Sequence, residues 1–230
     1  MSGIASITSA FADDTSPKGA LKIGVIGAGW LGGTVAKLWV KAGHHVMFST
    51  RHLDELRRKI APLGPNATVG TPAETAKFAD IVLFAVPYDA LPQLGAALAS
   101  DLKGKIVLDA CNPSATQVNA LTQEARQNDV AETSRRLLAG TRYVRAFSAV
   151  DATAIESSAS RQTQKLGVPI ASDDQAALNV VARLVIDVGS VPVITGNLAS
   201  AKVFQRGGPG FRANTDAEAL RNLLKLPANT

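Results

Sequence analysis

Apolar positions along the chain follow two alternating regimes. Short, unbroken apolar runs recur at 21–26, 45–49, 67–69, 80–86, 106–110 and 142–147. Runs of this kind suit strands covered on both faces. Ile81-Val82-Leu83-Phe84-Ala85-Val86 is the most apolar of them. Between the runs, apolar residues return with helical period at 33–42, 53–60, 72–78, 88–100 and 117–138. Thr71-Pro72 supplies an N-cap followed by proline at the first helical position. Strand and helix in strict alternation predict an α/β chain with a doubly wound parallel sheet and right-handed crossovers.

After residue 150 the pattern shortens. It predicts a helix at 151–159, a strand at 168–171, an amphipathic helix at 173–188 and a strand at 191–194. A helix starting near 197 is broken by Gly207-Gly208-Pro209-Gly210, and a last helix covers 216–225. The domain organisation expected is therefore a principal domain over 21–150 and a small mixed α/β extension over 151–230. Residues 1–20 are small, polar and unpatterned. Ala10-Phe11-Ala12 before Asp13-Asp14 has the form of a leader-cleavage site, yet no basic residue precedes it. A disordered arm on a cytoplasmic protein is the plainer expectation; the remnant of a leader on an exported one is the alternative.

Composition narrows the chemistry. Aromatics make up 5% of the 230 residues, whereas small aliphatic residues are plentiful, as helices packed on a parallel sheet require. The single cysteine, Cys111, excludes an internal disulfide and a cysteine-based zinc site. His44 and His45 stand where a loop enters a strand and are expected to be solvated, so no metal is expected. The net charge of +5 favours an anionic partner. Its basic residues are scattered apart from Arg51-His52, Arg57-Arg58-Lys59 and Arg135-Arg136, with no interleaved aromatics, which argues against nucleic acid. No apolar run approaches the length of a membrane span.

The most informative segment joins the first strand to the first helix. Gly27-Ala28-Gly29-Trp30-Leu31-Gly32 carries the Gly-x-Gly-x-x-Gly spacing in the strand–turn–helix context of a dinucleotide site. Gly27 serves the tight turn, Gly29 lets a pyrophosphate approach the backbone, and Gly32 lets the helix pack closely. The helix N-terminus offers N–H groups and positive charge to the phosphates. At the end of the second strand, where NAD sites carry an Asp or Glu, this chain has Ser49-Thr50-Arg51. A guanidinium pairs with a 2′-phosphate that a carboxylate would repel, so NADP(H) is expected over NAD(H).

Other strand ends carry the remaining candidates. Val86 and Pro87 begin a loop expected beside the nicotinamide; Tyr88 either stacks on a ring or caps the sheet. Asn112-Pro113 either positions a carboxamide or is simply a turn. Cys111 is a small buried residue or, alternatively, a redox thiol. No Ser/Tyr/Lys set and no His–Asp pair stands out, so no catalytic acid or base is assigned. Transfer between two planar cofactors needs alignment and exclusion of water more than a strong acid.

These residues resemble a known family. Ile23–Gly32, Ser49-Thr50-Arg51, Val86-Pro87, Val144-Arg145-Ala146-Phe147-Ser148 and Gly196-Asn197-Leu198-Ala199-Ser200-Ala201-Lys202 are similar to segments of the coenzyme F420-dependent NADP oxidoreductases. They also resemble the cytosolic domains of the STEAP metalloreductases. The resemblance covers about 21–205. It implies a Rossmann fold, NADPH held by the glycine loop and by Ser49, Thr50 and Arg51, and usually a homodimer. The partner would be a small-molecule redox acceptor, F420 or a flavin (FAD or FMN), stacked near the ends of strands four to six. Two departures bear on that pocket. The family commonly has Lys-Ala-Phe-Asn where this chain has Arg145-Ala146-Phe147-Ser148. The segment Phe204–Arg212 is not part of the general pattern, and Arg206 and Arg212 within it are candidates to meet an anionic acceptor. Cys111, Ser148 and Arg206 thus define the expected acceptor pocket. Two other classes compete. An imine or hydroxyacid reductase would need a helical second domain, often with a catalytic lysine, against a short mixed tail and the lone Lys165 in 151–200. A non-enzymatic NADP(H) sensor would bind without turnover.

Overall fold

A computed structural model describes residues 19–227; the expectations placed on residues 1–18 lie outside them. The alternation read from the sequence holds through β1 (Lys22–Ile26), α1 (Trp30–Lys41), β2 (His45–Ser49), α2 (Leu53–Ile60), β3 (Ala67–Gly70), α3 (Pro72–Phe78), β4 (Ile81–Phe84), α4 (Leu91–Leu102) and β5 (Ile106–Asp109). Then come α5 (Ala120–Asn128), α6 (Val130–Leu137) and β6 (Arg142–Arg145). Every position of β4 and β5 is buried, as the unbroken apolar runs require. Thr71 caps α3 in a reciprocal box with Glu74, ahead of Pro72.

The six strands are parallel, in the order β3-β2-β1-β4-β5-β6. Winding proceeds outward from β1 on one side and from β4 on the other. The crevice beyond the carboxyl ends of β1 and β4 is thus the topological switch point, where open α/β sheets take ligands. Helices cover both faces. Trp39 and Phe48 belong to one buried cluster; Phe84, Tyr88 and Phe204 belong to a second.

The remainder comprises α7 (Ala152–Ala159), β7 (Gly167–Ala171), α8 (Gln175–Asp187), β8 (Val191–Gly196) and α9 (Ala217–Leu223). β7 runs antiparallel to β6 and β8 parallel to β7, completing one eight-stranded sheet. Ala171, the last residue of β7, lies opposite Arg145, the last of β6. The rest of β7 therefore projects past the end of β6, and with β8 it flanks the edge at which the parallel strands stop.

Three expectations are corrected. The helix expected over 117–138 is two helices, because Asp129 has φ +91°, which no helix accommodates. Its carboxylate accepts the Ala131 N–H at 2.8 Å and starts α6 afresh. The segment beginning near 197 is a 3-10 helix, Leu198–Phe204. The strand expected over 142–147 ends at Arg145, and Phe147 turns the chain away with φ +59°.

Candidate functional site

The β1–α1 loop is shaped by what its glycines meet. Gly27 has φ +103°, and a Cβ there would lie 2.3 Å from the Ala85 carbonyl oxygen. A Cβ on Gly32 would lie 2.2 Å from the carbonyl oxygen of Gly27. Both therefore fit only glycine, and together they seat α1 against the loop. Gly29 differs: a Cβ there would have nothing within 4 Å. Its surface faces open space above the crevice.

The backbone donors of the loop divide accordingly. Gly27 and Ala28 donate to the Ser49 carbonyl at 3.1 and 2.9 Å, tying the loop to the end of β2. Gly29 is the N-cap of α1 and offers no side chain, and the first turn contains no acidic residue. The first hydrogen bond closing the helix runs from Gly33 N–H to Gly29 O at 2.8 Å. The start of α1 is left with uncommitted N–H groups and the positive end of its dipole. Leu31 is half-buried, while Trp30 stands beside these donors, 72% exposed.

At the end of β2, Ser49 is buried and its hydroxyl oxygen has no hydrogen-bond partner. Thr50 is half-buried and Arg51 exposed. Among the described residues Arg51 forms no ion pair, and the nearby acids are committed within α2. Asp54 pairs with Arg57 at 2.8 Å, and Glu55 with Lys59 at 2.5 Å. The rim at this point carries a guanidinium and no competing carboxylate of the kind expected in an NAD site.

Across the crevice, Val86 is half-buried and Pro87 exposed. Tyr88 is 3% exposed, with its hydroxyl donating to the Val130 carbonyl at 3.4 Å and accepting from Ser134 at 3.3 Å. Burial raises its pKa to about 12. The ring offers no face for stacking, so of the two expectations the sheet-capping one describes it.

The ends of β5 and β6 hold a buried polar network that sequence inspection did not assemble. Asp109 and Arg145 face each other in register, both essentially unexposed, with Arg145 Nη1 at 2.5 Å from Asp109 Oδ2. The same oxygen accepts from the Tyr143 hydroxyl at 2.6 Å, and Oδ1 accepts from the Cys111 N–H at 2.8 Å. Burial disfavours the Arg145 cation, but the charge of Asp109 more than offsets this and holds its pKa above the usual value. The signal that could have found the pair is a charged residue closing each of two adjacent apolar strands.

This network consumes Asn112. Its Oδ1 accepts from Arg145 Nη2 at 2.9 Å and its Nδ2 donates to the Ser148 carbonyl at 2.7 Å. The amide braces one strand end against the next. Pro113 is buried behind it. Cys111 is 2% exposed, and burial first, then Asp109, push its thiol well above the ordinary value. Its burial fits the small buried residue of the two expectations. Ser148 is also buried, yet its hydroxyl lacks any partner.

The segment that departs from the family pattern lies against this edge. Arg212 donates its backbone N–H to the Ala149 carbonyl at 2.8 Å and its Nε to Asp151 at 2.7 Å. The guanidinium thereby has a carboxylate partner, which Arg206 lacks among the described residues. Arg206 is exposed, with its guanidinium carbon 4.8 Å from the centre of the Phe211 ring.

His44 is the remaining correction. It is 6% exposed, accepts the Leu21 N–H on Nδ1 at 3.1 Å and places Nε2 at 3.0 Å from Asp187. This His–Asp pair sits where β1 and β2 begin, at the edge opposite the glycine loop, and clamps α8 to the sheet.

Comparison with known proteins agrees with this geometry. Residues 22–113 match the family described as NADP oxidoreductase, coenzyme F420-dependent, a span that contains the glycine loop and the end of β2. Metalloreductase STEAP3 of Rattus norvegicus is 29% identical over 186 residues, covering 81% of this chain and 36% of that protein. The chain thus spans about a third of the length of that relative. A hypothetical protein from Sinorhizobium meliloti superposes with a TM-score of 0.71 at 24% identity, over 85% of this chain and 94% of that one. A protein from Arthrobacter described as a candidate F420-dependent NADP-reductase gives 0.66 at 23% identity, over 80% and 88%. A 3-hydroxyisobutyrate dehydrogenase of Mycobacterium tuberculosis gives 0.58 at 16% identity, over 80% and 58%. The structural likenesses speak to the fold, which is of the Rossmann type. Among the described residues no helix is long and apolar enough to cross a membrane.

Proposed function

We propose that this chain is an NADPH-dependent oxidoreductase that passes hydride to a flavin or deazaflavin acceptor, F420 being the deazaflavin the family match suggests. One observation carries the proposal. The uncommitted N–H groups of α1 lie beneath the open surface of Gly29, beside a β2 end that carries Arg51 and no carboxylate. That arrangement suits a pyrophosphate at the helix start and a 2′-phosphate at the rim.

Each group then has a defined task. Gly27 and Gly32 fix the loop; the N–H groups of Trp30, Leu31 and Gly32 hold pyrophosphate. Ser49, with its partnerless hydroxyl, and Thr50 and Arg51 select the phosphorylated ribose. Val86 and Pro87 wall the crevice toward β4, while Asn112 and Ser148 keep the ends of β5 and β6 in place behind it. When bound, NADPH supplies a hydride, and the acceptor takes it together with a proton from solvent. The absence of an assigned acid is consistent with such chemistry, in which alignment and exclusion of water dominate. The reading includes a homodimer, as the resemblance implies, and a cytoplasmic setting.

Tryptophan fluorescence tests the proposal. Of the two tryptophans, Trp39 is fully buried with its indole N–H on the Leu184 carbonyl, so changes on binding at the loop arise at Trp30. NADPH is expected to quench emission at far lower concentration than NADH, and a flavin or F420 to accelerate NADPH oxidation. Binding without any accelerated oxidation would instead favour the sensor alternative. No response to either nucleotide, with calorimetry also blank, would overturn the proposal.

A further inference from the structure

We propose that Arg206 binds the phosphate of the acceptor's ribityl chain, making it the residue that selects a phosphorylated acceptor; this rests on the oxidoreductase reading above. Three features of the segment 205–214 lead to it.

The segment is a strap fixed at both ends beside the acceptor edge. At one end Gln205 Oε1 accepts the Val130 N–H at 3.2 Å, and the carbonyl of Val130 receives the Tyr88 hydroxyl. At the other, Arg212 holds the Ala149 carbonyl, one residue beyond Ser148. Asn214 then accepts the Asp151 N–H at 3.0 Å and donates to the Asp151 carboxylate at 2.6 Å. The strap therefore spans from the start of α6 to the loop that leaves β6.

Its shape is fixed as well. Gly208 N–H bonds to the Gln205 carbonyl at 2.8 Å, and Gly210 N–H to the Val203 carbonyl at 2.8 Å. A Cβ on Gly208 would lie 2.6 Å from the Lys202 carbonyl oxygen. This tight fold returns Phe211 beneath Arg206. Phe211 packs against the buried cluster that contains Tyr88, Cys111 and Ala149. The ring lies under the guanidinium, 4.8 Å from its central carbon, and attracts the cation while the side chain stays exposed to solvent.

The two arginines of the strap separate by their partners. Arg212 is spent on Asp151, whose carboxyl is held below its ordinary pKa by that contact. Arg206 forms no ion pair among the described residues and remains an exposed cation over the Phe211 ring. Flavin mononucleotide and F420 both carry phosphate on a ribityl chain that must leave the ring site; riboflavin has the same ring system as the mononucleotide and no phosphate. A guanidinium that binds this phosphate discriminates between the two.

Steady-state oxidation of NADPH by FMN, F420 and riboflavin in the full chain, the Arg206→Ala variant and the Arg206→Lys variant tests the assignment. Arg206→Ala is expected to raise KM for the phosphorylated acceptors about tenfold, with KM for riboflavin and the fluorescence-derived Kd for NADPH unchanged. Arg206→Lys should restore part of the loss. Whichever of FMN and F420 loses more identifies the acceptor whose phosphate the site fits. Equal losses for FMN and riboflavin would mean that Arg206 only braces the strap, and no loss for any acceptor would mean that it does nothing there; either overturns the assignment while turnover leaves the oxidoreductase reading standing. Failure of all three acceptors with the unaltered chain would overturn both.

Discussion

Two shelves at the carboxyl edge of one sheet treat polar groups in opposite ways. At the ends of β5 and β6, Asp109, Tyr143, Arg145 and Asn112 close on one another, and the charged pair is sealed from solvent. At the ends of β1 and β2, the helix start has no cap, the Ser49 hydroxyl has no partner and Arg51 is unpaired among the described residues. A satisfied network stiffens a scaffold, because removing any member strands the others. The exposed members of the unsatisfied set, at Trp30 and Arg51, cost little because water reaches them, and they are available to a ligand; the Ser49 hydroxyl is buried without a partner. The difference supports the proposal that the first shelf binds the nucleotide while the second gives mechanical support.

Substitutions can break or sharpen this contrast. The largest effect is expected from Arg145→Met, which leaves the carboxylate of Asp109 buried beside an uncharged side chain. Breaking such a pair costs about 3–5 kcal/mol, to be read as a lowered midpoint in urea unfolding of the free protein. Gly29→Val should do the reverse. Its φ of −74° is open to any residue and its Cβ meets no neighbour, so stability should hold. Affinity for NADPH and NADH should fall at least ~100-fold together, ~2.7 kcal/mol of binding, by calorimetry. Arg51→Ala is smaller and more selective: about tenfold weaker for NADPH, with NADH little changed. Stability lost at Gly29, or kept at Arg145, would invert the assignment of the shelves. Equal weakening of both nucleotides by Arg51→Ala would remove the 2′-phosphate from its task.

The first shelf was legible in the sequence because its determinants are neighbours along the chain. Three glycines, an apolar strand before them and a helix after them specify a turn without any distant partner. Thr71-Pro72 announced α3 for the same reason. The second shelf was not legible, since Asp109 and Arg145 meet only through strand register. His44 was misread because its partner, Asp187, stands 143 positions away. The break at Asp129 had a local cue, an aspartate able to cap, but the helical period of its neighbours ran across it unbroken. The reversal of β7 left no trace, because an apolar strand looks the same in either direction. Arg206 and Arg212 looked equivalent until Asp151 was seen to claim one of them.

The lone thiol in the chain has a use that owes nothing to catalysis. Because Cys111 is shut beneath the ends of β4 and β5, 2% exposed, a thiol reagent reaches it only during excursions in which that edge comes apart. The pace of its labelling is thus a native clock for those excursions, present without any engineered probe. A ligand that binds only the closed form slows the clock in proportion to its occupancy, so any candidate nucleotide or acceptor can be ranked by the time it adds.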